Sequence, residues 1–136
     1  MPIKMSVAVR NARLEAVESA IGLNAILRIY VGAPPALVTD ADPALLLAEL
    51  ALPPDWMLVA AGGVKDKQGT WADASANAGG TAGHFRLFDS TGTTCHMQGT
   101  ASGPGGGGDL ILDNPLLAVS QAVTVSQFRW TDGNLG

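Results

Sequence analysis

An antiparallel β-sandwich of jelly-roll type, mainly β and preceded by one N-terminal α-helix, is the fold that this sequence predicts. Three observations predict it. The middle of the chain reads as a β-hairpin, residues 83–89 and 93–99 around Ser90-Thr91-Gly92. About six or seven segments of strand character are separated by Gly, Pro, Asn and Asp, the spacing expected of a sandwich. Hydrophobic residues make up 47% of the chain but aromatics only 5%, so the apolar mass is Ala, Val and Leu, which builds thin side-chain layers. A chain of 136 residues holds one core. It divides into a helix over 1–22 and a β-sandwich over 23–136, forming a single domain.

The helix is predicted over residues 5–21. Val7, Leu14, Val17 and Ile21 recur at steps of seven, three and four and form one narrow apolar stripe. Ser6 is placed to cap its start and Gly22 to close its end in the left-handed region. A stripe that narrow packs on one surface, either the sheet or a neighbouring subunit. Residues 25–31 alternate strictly, with Leu27, Ile29 and Val31 on one side and Arg28 and Tyr30 on the other, which is a strand. Gly32-Ala33-Pro34-Pro35 ends it, because proline has no N–H to give a ladder. Residues 37–43 read as a polar loop. Residues 44–52 read as a strand bounded by Pro43 and Pro53, although their composition also suits a helix.

Pro53-Pro54-Asp55-Trp56 is a turn that anchors Trp56, and Gly62-Gly63 breaks the short stretch after it. Residues 64–74 form a weak polar strand with Trp71 pointing inward, and 76–83 are small and flexible. In the hairpin, Asp89 followed three residues later by Gly92 suits a type I turn closed by a left-handed glycine. The resulting three-residue loop sets Phe85 opposite Met97 and Leu87 opposite Cys95 on an apolar face. Arg86 then opposes His96, and His84 opposes Gln98, on a polar one. Residues 102–108 contain four consecutive glycines and read as a mobile loop tip. A short strand over 109–113, a turn at Asn114-Pro115 and a long strand over 119–130 complete the chain. Val123 and Val125 share a parity that Phe128 and Trp130 do not, so a bulge at Ser126-Gln127 is predicted to return all four to one side.

Charged residues are 15% of the chain, below the usual figure of about a quarter, which points to surface covered by a partner or by copies of the same chain in a dimer or trimer. A net charge of −4, with eight Lys plus Arg scattered along the sequence, provides no cluster for a run of phosphates. Nucleic acid is therefore not expected as a partner. One cysteine allows no internal disulfide, and the expected inward-facing Cys95 is a small hydrophobe. No segment has the pattern of a signal peptide and no apolar run reaches the ~20 residues that span a bilayer, so synthesis without export and no membrane contact are expected.

Chemistry-bearing residues do not assemble into a reaction centre in the sequence. Cys95 and His96 are adjacent, so on a strand they point to opposite faces, and Arg86 is expected beside His96; neither suits a metal ion. The carboxylate pairs Asp40 with Asp42 and Asp109 with Asp113 lie beside loops, and no Gly-x-Ser-x-Gly elbow occurs. The glycine run precedes a strand rather than a helix and lacks a phosphate loop's lysine. No enzyme activity, metal or cofactor is expected. Trp56, Trp71 and Trp130 would suit the platform of a carbohydrate-binding module, the alternative from another functional class; burial as core anchors accounts better for so few aromatics.

Several segments carry a resemblance that spans most of the chain: Arg10-Asn11-Ala12-Arg13-Leu14-Glu15-Ala16-Val17; Leu27-Arg28-Ile29-Tyr30 with Gly32; Leu50-Ala51-Leu52-Pro53 before Asp55-Trp56; Thr81-Ala82-Gly83-His84-Phe85-Arg86; and Gly92-Thr93-Thr94-Cys95-His96. In this order they resemble small structural proteins of tailed-bacteriophage virions. The resemblance implies a β-sandwich, location in the phage particle after synthesis in the host cytoplasm, and a role as a capsid decoration or cement protein on the major capsid protein lattice. A neck or tail component is the alternative within the particle, with another virion protein as partner. None of the shared motifs is catalytic. The helix is expected to make the partner contact through Val7, Arg10, Leu14, Val17 and Ile21, because an apolar stripe with a charged rim docks into a groove.

Overall fold

The computed structural model describes residues 3–43 and 45–132. It is mainly β, with one helix, α1 (Val7–Ile21), and nine strands among the described residues. They are β1 (Ile26–Val31), β2 (Leu46–Ala51), β3 (Val64–Asp66), β4 (Ala72–Asp73), β5 (Gly80–Phe88), β6 (Cys95–Ser102), β7 (Leu110–Leu112), β8 (Leu116–Leu117) and β9 (Val123–Thr131). The hydrogen-bonded order is β2-β1-β5-β6-β7-β9-β3, with β4 also on β9 and β8 also on β5. The sheet is mixed rather than wholly antiparallel as expected, because β6 and β7 pair in parallel through Ala101↔Leu110 and Ser102↔Ile111. The glycine-rich segment between them forms a self-bonded turn instead of a mobile tip: Gly106 N–H donates to the Gly103 carbonyl at 3.0 Å and Gly108 N–H to Ser102 Oγ at 2.9 Å.

The sheet curls until its ends meet. Asp73 on β4 accepts the Glu49 N–H of β2 at 3.2 Å, and Asn77 N–H donates to the Leu47 carbonyl at 2.7 Å, so the edge strand β2 is covered by the 73–78 segment. Residues 76–78 belong to the 76–83 stretch that was expected to be flexible; their backbone bonds to both β2 and Gln121 tie them down. Inside the curl lie Leu27, Ile29, Leu47, Leu50, Trp56, Trp71, Leu87, Val125 and Phe128, all buried. The aromatics stack edge to face: Phe85 with Phe128 at 5.2 Å between ring centres, and Trp56 with Trp130 at 5.6 Å. The predicted bulge forms, since Leu110 pairs Phe128, Ile111 pairs Gln127 and Leu112 pairs Val125, leaving Ser126 unmatched. Val123, Val125 and Phe128 are buried, with Trp130 half-buried beside them.

The hairpin forms with a different register. Gly92 (φ 69°) donates to the Asp89 carbonyl at 3.0 Å as predicted, but Asp89 N–H also bonds the Thr94 carbonyl, so the connection runs to Thr94. Pairing is Phe85↔Gly99, Arg86↔Gln98, Leu87↔Met97 and Phe88↔Cys95, with a bulge between Leu87 and Phe88. The shift is two residues, an even number, so Phe85, Leu87 and Met97 keep their inward parity. The bulge turns Cys95 to the Arg86 side, correcting its expected inward place, and leaves His96 exposed. The expected strand 44–52 is β2, with Ala44 outside the described residues, and the single strand expected over 64–74 is split into β3 and β4 around the buried Trp71.

Candidate functional site

Ser6 caps α1 by accepting the Val9 N–H, and Gly22 (φ 92°) ends it. The helix is fastened by polar side chains as much as by its stripe. Glu15 accepts the Ala60 N–H at 2.8 Å and pairs with Lys65 of β3, whose Nζ also reaches Glu18 at 2.8 Å and the Leu58 carbonyl at 2.8 Å. Asn11 accepts the Gly63 N–H, and the buried Arg10 donates to the Asp132 carbonyl at 3.3 Å. Gly63 adopts φ 75°, and a Cβ there would run into the Arg10 guanidinium. Burial opposes the charge on Lys65, but the hydrogen bonds of Glu15 and Glu18 outweigh it, and its pKa ends above the ordinary lysine value. The Lys65 hydrogen bond holds the Glu15 carboxyl below the ordinary range.

This arrangement divides the five residues expected to meet a partner. Arg10, Leu14 and Ile21 are buried within the chain and Val17 is half-buried against its core; Val7 is 46% exposed. In this conformation the stripe faces the chain's own sheet. The helix turns outward Val9, Ala12, Ala16 and Ala20, continued by Leu23 at 68% exposure. Beside the helix, where Ala60 is tied to Glu15, Val59 is 77% exposed and Leu58 also reaches solvent. Nothing in the stripe's spacing announced Lys65 as the residue that decides which face turns inward.

On the outer side of β1 and β5 the polar face is covered rather than open to solvent. Arg28 and Arg86 stand directly opposite on neighbouring strands, an arrangement that repels. The 32–43 segment resolves it: Asp42 pairs with Arg86 Nη1 at 3.3 Å and with Arg28 Nη1 at 3.3 Å. Every nitrogen of the buried Arg86 guanidinium has a partner. Nη1 donates to the Ala41 carbonyl, Nη2 to the carbonyls of Val38 at 2.7 Å and Asp40 at 3.0 Å, and Nε to Cys95 Sγ at 3.3 Å. Arg28 bonds Glu49 at 2.7 Å and lies 4.4 Å over the Phe88 ring. Beneath the same segment His84 stacks on Tyr30, and its Nδ1–H donates to the Gly32 carbonyl at 2.8 Å. Burial raises the Tyr30 pKa.

A cleft of about 380 Å³ opens beside this strap, lined by residues 38–42, Arg86, Phe88 and 93–95. Its one buried cation is committed to holding the loop, so the cleft offers an incoming anion no free guanidinium N–H. Among the described residues no three of His, Cys, Asp or Glu are placed to hold a metal ion, and no helix is long and apolar enough to cross a membrane. Trp56 and Trp71 are fully buried and Trp130 packs on Trp56 and Phe128, so these rings form no exposed sugar platform. No protein-family model, no curated protein and no solved structure matches the chain.

Proposed function

We propose that this chain is a structural protein of a tailed-phage particle, a capsid decoration or cement protein that binds the major capsid protein lattice by surface contact. The jelly-roll-like form of the sandwich that the sequence predicts is part of the same proposal. The observation that carries it is the apolar outer belt of the helix and its neighbour, Val7, Val9, Leu23, Leu58 and Val59, exposed on a chain with only 15% charged residues. The buried charges support the same reading, because Lys65 and Arg86 are used in fastening a helix and a loop. The contact belongs to the outward helix face rather than to Leu14 and Ile21, and repetition over a lattice multiplies a modest area into firm attachment.

The test is occupancy on purified particles. Leu23→Asp with Val59→Asp leaves the isolated fold intact and releases the protein from heads. Unchanged occupancy in that variant rejects the outer belt. Recovery of the protein with tails or necks after particle dissociation, and not with heads, rejects the decoration role in favour of the alternative.

A further inference from the structure

The curled sheet has a gap. Strand β7 separates β6 from β9 only from Leu110 onward, and ahead of that level no strand among the described residues lies between the two flanking strands. Thr100 N–H turns away from β5 to the Asp109 carboxylate at 2.9 Å; by the alternation of an antiparallel strand, Gln98 also turns its N–H and C=O groups to that side. On β9, the Phe128 carbonyl accepts from Lys67 and Asp132 N–H donates to Gly63, so even positions bond toward β3. Arg129 and Thr131 therefore turn their main-chain groups toward β6. Among the described residues, β6 from Cys95 to Gly99 pairs only with β5, and β9 from Arg129 to Thr131 only with β3. Between them lies a groove of about 340 Å³ whose floor is Phe85, Met97, Phe128 and Trp130. Trp130 Nε1 is a buried donor with no acceptor among the described residues.

We propose that this groove takes an extended segment of another polypeptide chain as an added strand, in line with β7, parallel to β6 and antiparallel to β9. Two facing rows of ladder groups select extended peptide backbone over a small apolar molecule. The aromatic floor selects an apolar side chain at the one inward position between polar neighbours, since successive residues alternate across the sheet. A carbonyl of the incoming strand or its turn meets the Trp130 indole N–H. The Asp109 carboxylate already substitutes for the missing strand at Thr100, where the groove ends. The inference does not rest on the virion reading.

The experiment follows amide hydrogen exchange in the full chain, alone and with a pool of capped seven-residue peptides alternating Thr with Val, Leu, Ile or Phe. In dilute free protein, Met97, Gly99 and Trp130 exchange slowly while Gln98, Arg129 and Thr131 exchange fast. Peptide slows those three at least tenfold, and N-methylation of alternate peptide nitrogens abolishes the effect. Trp130→Phe keeps the floor and weakens binding about two- to tenfold. Slow exchange of the three amides in dilute free protein overturns the proposal, because the ladder is then already closed. Protection that appears only on raising protein concentration makes a second copy the occupant and overturns the separate partner. No protection by any peptide, or equal effect of the N-methylated pool, overturns strand addition.

Discussion

Helix α1 and the 32–43 segment each cover one part of the same sheet, and each is held by a buried cation that the sheet supplies, Lys65 or Arg86, but the two fastenings differ in kind. Lys65 is held by two carboxylates, Glu15 and Glu18, whose side chains keep 43% and 18% of their exposure. Arg86 is held chiefly by three backbone carbonyls, with Asp42 at one nitrogen. A lysine presents a compact charge that suits flexible carboxylates, whereas the planar guanidinium fork reaches several fixed acceptors at once. Loss of the lysine leaves groups that can turn to water; loss of the arginine leaves loop carbonyls that are less free to do so. The helix is thus clamped by side chains that titrate, and the loop by main chain that does not.

The largest expected effect tests that contrast directly. Arg86→Met removes the partner of Val38, Asp40, Ala41 and Asp42 and destabilises by about 3–5 kcal/mol in chemical denaturation, the range for breaking a buried charged network. Lys65→Met costs less, about 1–3 kcal/mol, because Glu15 and Glu18 can rehydrate. A larger loss for Lys65→Met than for Arg86→Met would reverse the comparison.

The pH dependence sharpens it. Glu15 has a folded pKa below the ordinary 4.5, so its contribution is present above that value and lost as pH falls through the lowered folded value. Lys65 has a folded pKa above the ordinary 10.5, so its contribution is present below that value and lost as pH rises through the raised one. Thermal unfolding of wild type and Lys65→Met should converge below pH 4.5 and again above 10.5, with the widest separation between. A separation that stays constant into acid would show that Glu15 does not feel Lys65. The smallest expected effect is at the outer belt: Leu23→Asp and Val59→Asp each change the stability of the isolated chain by no more than about 0.5 kcal/mol. A loss of several kcal/mol there would place these side chains in the core.

Much of the fold was legible because local rules carry it. Ser6 and Gly22 bound the helix, the Asp89 to Gly92 turn forms, and the parity change from Val125 to Phe128 marks a real bulge. The hairpin register was missed by two residues because the Asp89 N–H finds the Thr94 carbonyl, a choice between turns of similar local merit. The surface that the helix stripe meets was left open, sheet or neighbouring subunit, for a different reason. Periodicity locates a stripe, but Lys65 lies 50 residues from Glu15 in sequence, and no local pattern links them.

By itself the sequence determined where α1, β1 and the β5–β6 hairpin form, and that Leu27 shares a face with Ile29 and Phe85 with Leu87, since 3.6-residue and 2-residue periods, caps and turns act within a few residues. It also favoured core positions for the tryptophans over a sugar platform, and the structure buries Trp56 and Trp71. The tertiary structure alone decided what each face meets: that the polar face of β5 is sealed by a loop around Arg86, that the helix stripe meets its own sheet, and that β7 leaves a gap beside β6. The first two outcomes depend on partners about 45 or more residues away, whose pairing is fixed only when chain closure brings opposite charges and carbonyls within a few ångströms of each other.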